Sequence, residues 1–311
     1  MCGIVGYLGS KEVVPLLLDG LKRLEYRGYD SAGVAVLQNG DLLTVRSEGK
    51  LEKLVQKLEG RSLAGSYGLG HTRWATHGEP SERNAHPMVD SRQRVALIHN
   101  GIIENFLPLK RRLLAEGWSF ASETDTEVAA NLISSYLDEL DLRRAVTRAA
   151  SELEGMYALA VVSTLAEREI VVTRQGPPLV VGLGEGEQYL ASDPAALLAY
   201  TKDVIFLENR DVARLTESGV EIWDATGEPV ERPATRLNWD PIQAEKGGYK
   251  HFMLKEIHEQ PTAIADTLRG RVSLERLEVH LDDLELSREE LEGLSSLYIV
   301  ACGTSWHAGL V

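Results

Sequence analysis

Cysteine is nearly absent from this chain: two occur in 311 residues, Cys2 and Cys302, at opposite ends. Thiols so far apart build neither a disulfide framework nor a cysteine-rich metal site, so each is read on its own. A basic surplus is absent as well. The 33 Lys and Arg stand against 47 Asp and Glu, a net charge of −14. That balance leaves no broad electrostatic footprint for nucleic acid or an anionic membrane, and favours small molecules or proteins as partners. No apolar run nears the ~20 residues of a membrane span, and the start lacks a basic segment followed by an apolar stretch. A cytoplasmic protein with no membrane partner is expected. Internal repeats and low-complexity tracts are also missing.

What is present is 43% hydrophobic residues in a chain long enough for a full-sized core and more than one domain. Hydrophobic alternation marks strands at Ile4–Leu8, Val34–Leu37, Leu42–Val45 and Val95–His99. The Asn39-Gly40 pair between the second and third favours a type I′ hairpin turn, hence antiparallel pairing. Closely spaced candidates at Tyr157–Val162, Ile170–Thr173, Leu179–Gly182, Asp211–Leu215 and Val220–Trp223 predict a second antiparallel group.

Helical spacing places Leu51, Leu54, Val55 and Leu58 on one face, with Gly60 as the stop. A longer helix is expected from Thr124, with Thr124 or Thr126 as cap and a stripe of Val128, Leu132, Ile133, Tyr136, Leu137 and Leu140. Another is expected from Ser10 to Tyr26, with Pro15 delaying or kinking its first turn and Gly28 ending it. After about Asn238 the composition shifts. Trp239-Asp240-Pro241 and Lys246-Gly247-Gly248-Tyr249 suit a linker, dividing residues 1–240 from a mostly helical 241–311. The run Leu297–Ala301 reads as a buried strand before Cys302-Gly303-Thr304-Ser305.

Cys2 carries the most chemistry. Removal of Met1 would leave a thiol and a free α-amine on one residue, and an amine titrating near ~8 can take the thiol proton without a histidine. The plain alternative is a small apolar residue opening a buried strand. Gly3 and Gly6 keep bulk away from the neighbouring strand, which a close substrate approach would need. Arg73 has the planar fork that clamps a carboxylate, or it makes a surface ion pair. Asn100 and Gly101 offer a side-chain amide and a backbone N–H to a developing oxyanion, or close a strand with a turn. Asp125 suits the helix dipole. His71, His77, His86 and His99 fall close together, but their spacing matches no metal-ligand pattern, and no metal is expected. Gly303-Thr304-Ser305 at a helix start fits an anion, or is a simple cap.

Met1-Cys2-Gly3-Ile4-Val5-Gly6 resembles the opening of the class II, N-terminal-nucleophile glutamine amidotransferases. Four further segments narrow the likeness: residues 23–33, 71–78 (His-Thr-Arg-Trp-Ala-Thr-His-Gly), 99–105 (His-Asn-Gly-Ile-Ile-Glu-Asn) and 122–127 (Ser-Glu-Thr-Asp-Thr-Glu). Together they are similar to the isomerising glutamine:fructose-6-phosphate amidotransferase family. The resemblance implies an α+β protein: a four-layer αββα sandwich followed by the beginning of an α/β sugar-isomerase domain. It implies Cys2 as nucleophile, Asn100 and Gly101 at the oxyanion, and Arg73, Trp74, Thr76, His77, His86 and Asp125 around L-glutamine. Within that set Arg73 holds the carboxylate, Asp125 the ammonium, and residues 83–87 belong to a loop that closes over glutamine. It implies Cys302, Gly303, Thr304 and Ser305 at the phosphate of fructose 6-phosphate, no metal or organic cofactor, and leaves a homodimer open for the full-length enzyme. Other acceptors, such as phosphoribosyl pyrophosphate, and a non-catalytic sugar-phosphate-binding module are the competing readings.

Overall fold

The computed structural model describes residues 2–25, 28–61, 63–74, 79–238, 249, 251–268, 272–273, 278–279 and 287–311. The chain divides into two compact units, Met1–Gly247 and Gly248–Val311.

Alternation along the strands builds the first unit from the inside out. In β1 (Gly3–Leu8), Ile4 and Leu8 face one way and Val5 and Tyr7 the other, and all four are buried. A strand apolar on both faces must be covered on both sides. β1 lies inside an eight-stranded sheet with β2 (Ser31–Gln38), β3 (Asp41–Glu48), β4 (Tyr67–Arg73), β9 (Val180–Leu183), β10 (Gln188–Ala191), β11 (Asp203–Phe206) and β14 (Ala234–Arg236), in the order β14-β11-β9-β10-β1-β4-β2-β3. A six-stranded sheet holds β5 (Met88–Val89), β6 (Val95–Ile103), β7 (Gly155–Ser163), β8 (Ala166–Gln175), β12 (Val212–Thr216) and β13 (Gly219–Trp223), in the order β13-β12-β8-β7-β6-β5. Every pairing in both sheets is antiparallel.

Three apolar clusters define the layers. The middle one joins Ile4, Leu8 and Leu69 of the large sheet to Ala96, Ile98, Ala160 and Val172 of the small one. On the outer face of the large sheet, α1 (Val13–Leu24) and α2 (Leu51–Leu58) bury Leu17, Leu21, Leu54 and Leu58 against Val5, Val34 and Val36. Outside the small sheet, α3 (Phe106–Ala115), α4 (Asp125–Tyr136) and α5 (Leu142–Glu152) bury Leu113, Val128, Leu132 and Val146 against Val95, Leu97 and Val161. The result is the four-layer αββα sandwich. The Asn39-Gly40 turn takes the two positive φ angles, 53° and 85°, that a type I′ hairpin needs.

Several expectations are corrected. The two sheets do not divide by position in the chain: β9, β10, β11 and β14 return to the sheet of β1, while β12 and β13 join the other. α1 starts at Val13 and ends at Leu24, inside the range expected, because Pro15 sits in its first turn, where its missing N–H costs no helical bond. α4 ends at Tyr136; Leu137 and Leu140 pack on the same cluster from the turn beyond it. The space beside Gly3 and Gly6 is filled by Thr72, Leu24, Leu69 and Leu190, so these glycines serve packing inside the sheet rather than substrate approach.

The second unit contains α6 (Phe252–Leu268), the paired β15 (Val272–Ser273) and β16 (Glu278–Val279), α7 (Arg288–Glu292) with a Ser287–Glu290 capping box, and α8 (Gly303–Leu310). The run Leu297–Ala301 is not a strand. No described strand pairs with it, and Tyr298 and Val300 are 85% and 96% exposed. A strand needs a neighbour to satisfy its backbone and a layer to cover its side chains, and the described residues supply neither.

Candidate active site

Strand parity decides which side chains meet. Cys2 lies two residues before Ile4, His71 and Arg73 lie two and four after Leu69, and Asn100 lies two after Ile98. The reference residues all point into the space between the sheets, so the polar residues continue the same rows to its end. There Cys2, Arg73 and Asn100 line a cavity of about 680 Å³ together with Trp74, His86, His99, Gly101, Asp125 and Thr126, while His71 lies fully buried against Asn100. The cavity wall thus brings together a thiol, a side-chain amide, a buried guanidinium and a carboxylate.

The Cys2 Sγ accepts the Trp74 N–H at 3.1 Å and sits 3.5 Å from the Trp74 carbonyl. Burial pushes the Cys2 thiol up, while the Trp74 N–H and the Arg73 charge pull it down. Trp74 thus meets the thiol through its backbone; its indole is half exposed and packs edge-on against Tyr29. The Asn100 Nδ2 donates to the Cys2 carbonyl at 3.0 Å, and its Oδ1 faces the His71 Nε2 at 3.0 Å.

Gly101 follows at φ 124°, and a Cβ there would stand 2.0 Å from the Met156 carbonyl oxygen. Only glycine fits this turn of β6. Arg73 is 3% exposed. Burial lowers its guanidinium, opposed by the charges of Cys2, Asp125 and Asp30. Gly28 packs against the Arg73 backbone, 2.8 Å from where its own Cβ would be.

Asp125 opens α4. Thr124 caps the helix by accepting the Glu127 N–H, and Glu127 accepts the N–H groups of Ala121 and Ser122, fixing the loop before it. The Asp125 Oδ2 accepts the Ile103 N–H at 2.8 Å, and the Thr126 hydroxyl bonds the His99 Nδ1 at 3.0 Å. His86, 4% exposed, lies deep in the wall: its Nδ1 accepts the His99 N–H at 3.4 Å and its ring lies 4.4 Å from that of His71, tilted by 39°. Burial holds His86 well below the ordinary histidine range, and the neighbouring His71, His99 and Arg73 act the same way.

Thr76 and His77 lie outside the described residues. Just beyond them, Asn84 bridges the Glu79 carbonyl and the Glu123 side chain and accepts the Glu123 N–H, tying that segment to the approach of α4. Cys302, Gly303, Thr304 and Ser305 belong to the second unit, where Cys302 precedes α8, Gly303 takes φ 62° and all four are exposed. Among the described residues, no three His, Cys, Asp or Glu side chains converge as a metal set, and no helix is long and apolar enough to cross a membrane.

His99, Ile102, Glu104, Thr126, Met156, Pro177 and Pro178 complete the cavity wall, and no sequence motif assigns them to the site. Thr126 carries a local signal, its place beside Asp125 at the helix start. The two prolines come from the loop before β9 and meet the site only through the sheet topology.

An antiparallel αββα sandwich with a thiol at the start of a central strand, facing a cleft that also carries a buried guanidinium and a carboxylate, defines an amidotransferase of the N-terminal-nucleophile class. The chain belongs to the glutamine amidotransferase domain family, whose model matches residues 56–226. It is 52% identical over 311 residues to the glutamine–fructose-6-phosphate aminotransferase (isomerizing) of Symbiobacterium thermophilum and 49% identical to that of Caldanaerobacter subterraneus. Each match takes in 100% of this chain and 51% of the relative, so the chain spans about half the length of the curated relatives it matches. Among solved structures it resembles the glutamine phosphoribosylpyrophosphate amidotransferase of B. subtilis, at a TM-score of 0.63 and 25% identity, over 72% of this chain and 49% of that one.

Proposed function

We propose that the first unit hydrolyses L-glutamine through Cys2 and that the released ammonia serves the conversion of fructose 6-phosphate to glucosamine 6-phosphate. The observation that carries the proposal is the convergence of the Cys2 thiol, the Asn100 amide, Arg73 and Asp125 on one cavity. Arg73 takes the α-carboxylate in a two-bond clamp and Asp125 the α-ammonium, which sets the side-chain amide toward Cys2.

Once Met1 is removed, the α-amine of Cys2 accepts the thiol proton. The thiolate then adds to the amide carbon, and the oxyanion is held by the Asn100 Nδ2 and the Gly101 N–H. Protonation of the leaving nitrogen by the same amine expels ammonia and leaves a γ-glutamyl thioester, which water hydrolyses to glutamate. Thr76, His77, His86 and the Trp74 backbone complete the glutamine site, with residues 83–87 closing over it to exclude water. No metal or organic cofactor takes part in these steps.

The acceptor half of the proposal rests on the relatives' names together with Cys302, Gly303, Thr304 and Ser305, which would meet the sugar phosphate at the start of α8. Phosphoribosyl pyrophosphate as acceptor has only the shared fold of the B. subtilis enzyme behind it. The same reading assigns the chain to the cytoplasm. The test is turnover of the purified 311-residue chain: glutamate and ammonia in equal amounts, lost in Cys2→Ala, with no glucosamine 6-phosphate when fructose 6-phosphate is added. Absence of glutamate release from the Met1-processed chain would overturn the glutaminase assignment.

A further inference from the structure

His71 has no role in the mechanism above, yet it is fully buried beside the reacting groups, in the row of β4 that carries Arg73. Its Nε2 stands 3.0 Å from the His99 carbonyl oxygen and 3.0 Å from the Asn100 Oδ1. A backbone carbonyl only accepts, so the Nε2 must carry a proton. The other end of the Asn100 amide faces another backbone carbonyl, that of Cys2, at 3.0 Å, which requires the nitrogen there. Each end excludes the flipped amide: with nitrogen and oxygen exchanged, an N–H would face an N–H and a carbonyl would face a carbonyl.

We infer that His71 is a positioning residue for glutamine hydrolysis: its neutral ring, protonated at Nε2, locks the Asn100 amide so that the Nδ2 is directed to the oxyanion formed at Cys2. The inference rests on the proposed glutaminase function. Two further features agree with it. The His71 Nδ1 is buried with no hydrogen-bond partner among the described residues, so the ring's described polar contacts all lie on the side of His99 and Asn100. Burial also pushes His71 down to about 3, the Asn100 bond acting against this, so the ring stays neutral wherever the enzyme would work. With one N–H of the Nδ2 spent on the Cys2 carbonyl, the second is left for the oxyanion, and without His71 the Cys2 carbonyl alone would hold the amide in that orientation.

The test compares glutamine hydrolysis by the wild type, Asn100→Ala, His71→Phe, His71→Gln and the double variant H71F/N100A. Loss of an oxyanion donor lowers kcat by ~10²–10³, so loss of its positioning by His71→Phe is expected to lower kcat about 10- to 100-fold with KM within about threefold. His71→Gln, which keeps an N–H donor of similar reach, is expected to recover most of that loss. The double variant should be no slower than Asn100→Ala within about twofold, because a residue that acts only through Asn100 has nothing left to orient. A wild-type kcat in His71→Phe, or additive losses in the double variant, would overturn the inference while leaving the glutaminase assignment standing. An inactive wild type would remove the assignment itself and the inference with it, whereas an Asn100→Ala with unchanged kcat would overturn the inference alone by removing the oxyanion role of Asn100. Nitrogen NMR of the wild type supplies a readout independent of any variant's folding. It should show His71 neutral, with the proton on Nε2 at neutral pH; an Nδ1-protonated or doubly protonated ring would overturn the inference.

Discussion

Arg73 and Gly101 make the residue-scale predictions sharp, because each side chain, or its absence, has one described consequence. Arg73 is buried and its charge is offset by Cys2, Asp125 and Asp30, so Arg73→Ala removes the carboxylate's counter-charge and takes from the Cys2 thiol only one of the smaller influences that lower it. Loss of one member of a buried charge pair costs about 2–5 kcal/mol, which raises KM for glutamine roughly 30-fold or more. The kcat should change little, and steady-state kinetics with an unchanged KM would refute the clamp. Gly101→Ala forces a Cβ to within 2.0 Å of the Met156 carbonyl at φ 124°. Strain of this kind costs about 1–3 kcal/mol, so the variant should melt several degrees lower and lose hydrolysis. A melting temperature equal to the wild type would contradict the backbone account. Cys2, Arg73, Asn100 and Asp125 were legible in the sequence because each is a chemically distinctive residue in a recognisable segment. His71 and Thr126 were not, since their partners, Asn100 and His99, lie 29 and 27 positions away in the chain.

At the scale of elements, α4 is the support on which the ammonium site depends. Its first turn is built by Thr124, whose side chain accepts the Glu127 N–H, and by Glu127, which accepts two N–H groups of the preceding loop. Thr124→Ala removes the cap, at a cost of about 1 kcal/mol, and should lower the urea midpoint by that amount divided by the m-value while leaving kcat near wild type. A change in kcat larger than in stability would mean that Thr124 touches the chemistry directly. α4 and the β2–β3 hairpin were readable from apolar spacing and from the Asn-Gly turn. β4 was not: Tyr-Gly-Leu-Gly-His-Thr-Arg has two apolar side chains in seven positions, yet it is central in the large sheet and presents His71 and Arg73 to the site. A central strand can be poor in apolar residues when part of its length lines a polar cleft, and alternation then fails as a signal.

Across the molecule, the division into sheets depends on pairings between distant segments, such as β1 with β10, which no local pattern encodes. Burying neutral histidines between the layers also has a global consequence. His71 is held at about 3 in the folded state against 6.5 in the unfolded chain, and His86 is shifted in the same direction. Below 6.5 the unfolded chain binds protons that the folded one refuses, so stability is full above that pH and falls as pH drops toward 3. At about pH 5 the loss from His71 is on the order of 2 kcal/mol. Urea unfolding of the wild type should therefore weaken between neutral pH and about pH 5 more than that of His71→Gln, and equal slopes would contradict the shift. The central claim is that Cys2 is a glutamine-directed nucleophile at the end of the inter-sheet space. Its most direct test is intact mass and peptide mapping after treatment with the glutamine mimic 6-diazo-5-oxo-norleucine. The account predicts loss of Met1 and one stoichiometric adduct on Cys2 that glutamine blocks; an unreactive Cys2 in the processed chain, or an adduct elsewhere, would contradict it.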